Sequence, residues 1–546
     1  MISRLLLLFH TVRFLRPIQI YSRLKFKLYR PLIDNSNPPI VRIVSGEWKS
    51  PIQYKTSLIS LWMFRFLNEE HSLKSSSDWD NQKFSKLWRY NLHYFNDLNA
   101  EDAGSNVEWH RKLLSKWIKE NTPSLGSGWE PYPCSLRIVN WIKWSLAGYK
   151  LDSECLHSLA IQVRWLSKNL EFHIMGNHLL ANAKALVFAG LFFKGPEAEK
   201  WLSTGLRILK REVPEQILTD GGHFELSPMY HNTILEDLLD LLNITKAVPG
   251  QVAKEQLSDW RSACERMLQW SSHMKHPDGE ISFFNDSAFG VASTFEQLEE
   301  YAKSLGITDF IKNELLVYLA DSGYIRLKNN TAIAFLDVAK VGPDYLPGHA
   351  HADTLSFELN LFGQRVFVNS GTSQYGKNLD RYKQRSTVSH NTVCIDGKDS
   401  SEVWSGFRVA KRARPTEPNI HKTSDGYYIL CSHDGYKRLL GKCIHQREWK
   451  FEGTHFCVTD TIRGIFNHAV ANFYIHPDVD VTFENGMTDI FKLTIPTGQT
   501  AQVKIEGADK SELLSTKWYP EFGISLDNKC ISVSFTSPKL SMCITW

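Results

Sequence analysis

The hydrophobic period of this chain changes once, near residue 325, and that change limits the fold more than any other feature. Before it, apolar residues recur at spacings of three and four. Leu156, Leu159, Val163, Leu166 and Leu170 form one stripe, and Ala198, Trp201, Leu202, Leu206 and Leu209 a second. Ile234, Leu238, Leu239, Leu242 and Ile244 form a third. These are amphipathic helices, punctuated by pairs such as Gly195-Pro196 and Pro249-Gly250. Their succession predicts a toroid of helical hairpins. After residue 330 come short alternating or apolar runs at 333–338, 365–368, 427–430, 455–459, 471–475 and 531–535, separated by Gly, Asn and Asp turns. Such runs predict an antiparallel β-sandwich. The expected fold is α+β and multidomain: an arm over residues 1–35, an α/α toroid over 36–325 and an antiparallel β-sandwich over 326–546. At 546 residues the chain also exceeds what one core serves.

Composition narrows the function classes. The apolar share of 42% and charged share of 22% are those of a globular protein. A net charge of +4 without a long Lys/Arg run argues against a nucleic-acid partner and fits an acidic substrate held by local cations. Thirteen of the 17 tryptophans precede residue 325, enough to fill a core and line a groove. The nine cysteines are odd in number, scattered and without a Cys-x-x-Cys pair. That argues against a disulfide framework or a thiolate zinc site, and favours a reducing compartment.

At the N-terminus the apolar run 5–9 is too short to span a bilayer, and no small-residue cleavage site follows it. Arg13, Arg16, Arg23, Lys25, Lys27 and Arg30 come next. This basic amphipathic arm has two readings: peripheral contact with an anionic membrane surface, or packing on the protein's own body, the commoner outcome. The expected location is cytoplasmic, at the inner face of the membrane, with the periplasm as alternative.

Candidate chemistry concentrates in a few segments. Gly348-His349-Ala350-His351-Ala352-Asp353 precedes an apolar strand-like run, and Ser389-His390-Asn391-Thr392 follows some forty residues later. In extended chain a spacing of two puts both imidazoles on one face. Three histidines suit proton transfer near neutral pH or a borderline metal, and equally a polar loop. In Gly176-Asn177-His178-Leu179, Asn177 is placed to cap a helix whose start can seat a carboxylate. Asp220-Gly221-Gly222-His223-Phe224-Glu225 leads through Ser227-Pro228-Met229 to Tyr230, a core tyrosine or a proton carrier. Trp129, Tyr132 and Arg137 offer aromatic faces and a cation, suited to a sugar acid or to a packed loop.

Together these ordered motifs, from about Trp129 to Arg414, resemble the heparinase II/III family of polysaccharide lyases. The opening segment around Arg16-Pro17-Ile18-Gln19 looks like the branch found among bacterial surface-polysaccharide gene products. The resemblance implies an α/α toroid followed by a β-sandwich. It implies that Asn177, with His178, hydrogen-bonds a uronate carboxylate, that Tyr230 acts as acid or base, and that His349 is the second proton carrier. His223, Glu225, Trp129, Tyr132 and Arg137 would contact the sugar. It further implies a structural zinc ion on His351 and His390, with an acid as third ligand. Asn369 stands where that acid is expected, which weakens the metal site. No organic cofactor is implied.

The chemistry follows from the substrate class. The C5 proton of a uronic acid becomes acidic once its carboxylate is neutralised. A base removes that proton and an acid protonates the C4 oxygen as it leaves. Three outcomes remain open: β-elimination on an acidic polysaccharide or lipid-linked oligosaccharide, C5 epimerisation through the same carbanion, or a non-catalytic carbohydrate-binding or assembly role.

Overall fold

A computed structural model describes residues 2–308, 314–484 and 486–546. The helical half runs from the Lys86–Tyr94 helix to the Phe295–Ser304 helix. The three stripes read from the sequence lie on the Ser153–Lys168, Pro196–Gln216 and Pro228–Ala247 helices, except that Leu170 falls just past the end of the first. The Gly176–Phe192 helix is apolar on nearly every side and lies inside the toroid. It packs on the Pro131–Leu146, Pro196–Gln216 and Pro228–Ala247 helices. Its N-terminal end is thereby fixed at the site.

The second half is a sandwich of two antiparallel sheets. One contains the strands Ala332–Asp337, Phe357–Leu361, Gln364–Phe367 and Ala469–Ile475. The other is built around Ile444–Glu452, His455–Arg463 and Lys539–Thr545. Their facing side chains form one core, where Phe357 of the first sheet meets Phe456 of the second at 5.3 Å. The sequence gives no warning of a small three-stranded sheet at Leu58–Ser60, Met63–Phe66 and Glu69–Ser72. Its turn reaches the sandwich, with Asn68 Nδ2 donating to the Phe522 carbonyl at 2.9 Å.

Arg447 ties the two sheets to the histidine motifs. It is fully buried and donates to Asp460 through Nε and Nη2 at 2.7 and 2.8 Å. Its Nη1 donates to the carbonyls of Leu355 and Asn391 at 2.7 and 2.5 Å, one just beyond Asp353 and the other beside His390.

The cysteine expectation needs correction. Cys457 and Cys543 are directly opposed on adjacent strands, with Cα atoms 4.1 Å apart, and form a disulfide. Eighty-six residues separate them, so spacing could not reveal a pairing that strand register creates. The other seven cysteines are free and buried.

Arg447→Leu should destabilise the chain by about 3–5 kcal/mol, because the Asp460 charge loses its buried cationic partner. Urea unfolding measures this; a loss below about 1 kcal/mol would mean that the buried Arg447–Asp460 pair contributes no more than an exposed one.

Candidate active site

Segments of the helical half and of the sandwich meet at a single cluster. Gly176 makes the approach possible: a Cβ there would lie 2.3 Å from Leu346 Cδ2 and 2.6 Å from Glu225 Oε1, and its φ is +55°. Asn177 is inside the first turn of its helix, not at the cap, which Met175 occupies. The anion seat of that helix is filled by the chain itself. Glu225 Oε1 accepts the Asn177 backbone N–H at 3.0 Å, and both of its oxygens accept from Asn177 Nδ2 at 3.0 and 3.1 Å. Glu225 Oε2 also lies 3.4 Å from His349 Nε2. Glu225 therefore joins Asn177 and His349 across the domain boundary.

Tyr230 owes its position to Ser227-Pro228. Ser227 caps the helix by accepting from the Tyr230 N–H, and proline occupies the first helical position. The Tyr230 ring lies 3.9 Å from the His349 ring, and its hydroxyl is 3.0 Å from that of Tyr375. Burial, then the neighbouring Tyr375, pushes the Tyr230 pKa well above its usual value, so the resting group is a neutral phenol.

Asp286 organises the far side of the cluster, and nothing in the sequence singled it out. Its carboxylate accepts from His349 Nδ1 at 2.9 Å, His351 Nε2 at 2.8 Å and Arg381 Nη2 at 2.7 Å, with Arg381 Nη1 closer still. Burial opposes its charge, but the Arg381 guanidinium and the three donors hold its pKa well below the carboxylate range. A carboxylate only accepts, so Nδ1 of His349 carries a proton toward Asp286, while Nε2 faces Glu225. Met175, Leu226, Asn285 and Leu355 all have positive φ, and each adjoins a segment of the cluster. Non-glycine residues in that region store strain that the surroundings must hold.

His178 stands at the edge with its side chain 26% exposed. Its Nδ1 lies 3.0 Å from Glu171 Oε1 and its ring 4.4 Å from that of Tyr132. Burial disfavours charge on the ring, but Glu171 more than offsets this and raises its pKa. Glu171 is lowered in turn, against its own burial, by His178 and Asn182.

His351, Asp353 and His390 form a buried trio whose ligand atoms lie within 4.8 Å of one another. His351 Nδ1 and His390 Nε2 are 3.3 Å apart. The other nitrogen of each ring faces an oxygen acceptor: Asp286 Oδ1 for His351, and Asn369 Oδ1 at 3.3 Å for His390. The facing nitrogens thus both present lone pairs, an arrangement that suits a shared cation. Their spacing is close to the edge of a tetrahedron with Zn–N bonds of about 2.0–2.1 Å. Asn369, expected as the third ligand, instead fixes the outer nitrogen of His390, and Asp353 supplies the carboxylate of the trio.

Two family models cover this architecture: the heparinase II/III N-terminus over residues 72–312 and the heparinase II/III-like C-terminal region over 312–546. The chain belongs to the heparinase II/III family. It is similar to a heparin-sulfate lyase of Bacteroides stercoris, 27% identical over 334 residues, covering 57% of this chain and 47% of that protein. A heparin-sulfate lyase of Bacteroides thetaiotaomicron is 25% identical over 406 residues, covering 64% of this chain and 56% of the other. The chain thus spans about half the length of these relatives. The crystal structure of a heparinase III superposes with a TM-score of 0.67 over 97% of this chain and 85% of that one, at 18% identity.

Three residues expected from the sequence to contact the sugar are buried in this heparinase-like fold. Arg137 is fully buried, stacked 3.9 Å over Trp117 and bonded to Gln162. Trp129 is buried against Trp117 and Trp165. Both belong to the toroid core, where aromatic faces and a cation satisfy each other. His223 is buried with Nε2 on Gln216, and its backbone N–H donates to His231. Tyr132 stays at the cluster edge. Asp286, Arg381, Tyr375, Glu171 and the place of Asp353 beside His351 and His390 are additions.

The His178–Glu171 pair makes a pH-dependent contribution to stability. It is complete between the ordinary values of about 4.5 and 6.5. It is lost as pH rises through the elevated His178 pKa, or falls through the depressed Glu171 pKa. Glu171→Gln should therefore lower the melting temperature most in that window and least at alkaline pH. Thermal melts across pH test this; an equal loss at every pH would show an uncharged contact.

Proposed function

We propose that this chain is a polysaccharide lyase that cleaves a uronic-acid-containing acidic polysaccharide, or a lipid-linked oligosaccharide of that kind, by β-elimination. The observation that carries the reading is the meeting of Tyr230 and His349, from different domains, at 3.9 Å and beside Asn177. His178, charged through Glu171, takes the larger share in neutralising the uronate carboxylate, because Glu225 already engages the Asn177 amide. Its positive charge and an amide N–H stabilise the carbanion that forms at C5. His349 Nε2, with Nδ1 held by Asp286, takes the C5 proton. The C5–H electron pair becomes the C4=C5 double bond, the C4–O bond breaks, and the leaving oxygen takes the proton of the neutral Tyr230 phenol. Tyr375, 3.0 Å from Tyr230, is placed to return a proton to that hydroxyl.

A zinc ion fits His351, Asp353 and His390, and would supply structural cross-linking of the two histidine segments rather than a reacting group. Asp286 reaches both His351 and His349, so order in the trio is passed to the proton carrier.

Incubation with a panel of uronate polymers tests the reading through ultraviolet absorbance of unsaturated uronate. Deuterium incorporation at C5 without cleavage would instead assign epimerisation, and neither signal would reject catalysis on these polymers. On a substrate that the parent converts, Tyr230→Phe should lose about two to four orders of magnitude in kcat with little change in binding. A turnover near that of the parent would remove Tyr230 from the mechanism. Dialysis against a chelator should lower the melting temperature of the parent and leave His351→Ala unmoved. Identical melts of the parent with and without chelator would argue against a bound ion.

A further inference from the structure

The N-terminal helices, Ile2–Val12 and Pro17–Leu28, are amphipathic in the wrong sense for a surface helix of a globular protein. On the first, Leu5, Leu8, Phe9 and Val12 lie at i, i+3, i+4 and i+7, a single face. That face is exposed, with Leu5 and Phe9 each 60% accessible. On the second, the buried residues are Gln19 and Ser22, both polar. Tyr21, Leu24 and Leu28, at i, i+3 and i+7, are 65%, 57% and 84% accessible. Such a run of open apolar surface needs a partner.

The arm meets the body through polar and cationic contacts. Gln19 Nε2 donates to the carbonyls of Tyr345 and Ile174 at 3.2 and 3.4 Å. Arg16 pairs with Glu215 and stacks 3.8 Å over the Tyr345 ring. Trp404 Nε1 donates to Thr11 Oγ1 at 3.1 Å, and Arg412 stacks over Phe14 at 4.2 Å. These anchors hold the helices with their apolar faces outward. Two of them lie on the loops that carry the site: Ile174 is three residues before Asn177, and Tyr345 four before His349.

Charge identifies the occupant. Residues 1–33 contain no Asp or Glu. Arg4, Arg13, Arg23, Lys25, Lys27 and Arg30 are all exposed. A groove of about 520 Å³ beside the anchoring segments adds Arg207, Lys210 and Arg211 around Leu170, Phe172 and Ile208. Exposed Leu and Phe stripes on helices that carry cations and no acidic residue match an anionic lipid surface, where apolar side chains enter the headgroup boundary and Lys and Arg meet the phosphates. Among the described residues no helix is long and apolar enough to cross a membrane, so the contact is peripheral.

We propose that the two N-terminal helices dock this protein on an anionic phospholipid surface, with the active-site loops held against that docking element. A second copy of the chain fits less well, because two such arms would oppose cation to cation.

Sedimentation of the full chain with phosphatidylcholine vesicles, with and without phosphatidylglycerol, tests this. The parent should partition onto the anionic vesicles, lose binding as salt rises, and leave neutral vesicles largely unoccupied. Arg23→Glu/Lys25→Glu/Lys27→Glu should reduce partitioning by about a hundredfold or more. Leu5→Asp/Phe9→Asp should reduce it comparably, with an unchanged melting temperature and unchanged turnover of a soluble substrate. Absent sedimentation, equal binding to both vesicles, or parent-like binding by a folded charge-reversed variant would each overturn the proposal. So would a dimer in light scattering that dissociates in Leu5→Asp/Phe9→Asp without any vesicle binding.

Discussion

The buried carboxylate of Asp286 is the interaction on which the site depends. It comes from the last loops of the helical half and is met by Arg381, His349 and His351 from the sandwich. A buried carboxylate is costly unless its acceptor capacity is filled, and here two histidines and a guanidinium fill it. The same contacts fix the tautomer of His349 and the orientation of His351. A second bond at this joint runs from the Asp286 backbone N–H to the His349 carbonyl at 3.0 Å. The domain interface, His349 and the His351–Asp353–His390 trio are thus joined at one side chain.

Glu225 plays the matching part on the helical side. It fills the helix start at Asn177 and reaches His349, so the amide and the imidazole are held in register before any sugar arrives. A second carboxylate, Glu171, raises the pKa of His178 at the rim against the effect of burial. The site therefore sets three environments side by side: a neutral phenol deep in the cluster, an imidazole held between Asp286 and Glu225, and a histidine at the edge whose charged form Glu171 favours. Pushing neighbouring titratable groups apart in this way lets acid and base coexist at one pH.

The two-part architecture was legible because helices and strands impose different side-chain periods: the stripes at 198–209 and 234–244, and that at 156–170 up to Leu166, each fall on one helix. The histidine motifs were legible because proton carriers and metal ligands come from few residue types. Asp286 was not, since it lies in a loop without periodicity, more than sixty residues from its partners. The one available signal was an acid embedded in the apolar stretch Ile281-Ser282-Phe283-Phe284-Asn285-Asp286, where a charge must have a buried partner. Arg137 misled for the converse reason: a cation among aromatic residues reads the same whether it lines a groove or closes a core. The Cys457–Cys543 bond depends on strand register, which composition does not encode.

The most direct test of the central claim is Asp286→Asn, followed by the rate of C5–H cleavage on a uronate polymer that the parent converts. The substitution keeps the shape but replaces a pure acceptor with a group that also donates, which favours the wrong His349 tautomer. The account predicts that a folded Asp286→Asn variant binds substrate but loses C5 proton abstraction by about two to four orders of magnitude. Proton abstraction at the parent rate in that variant would contradict it.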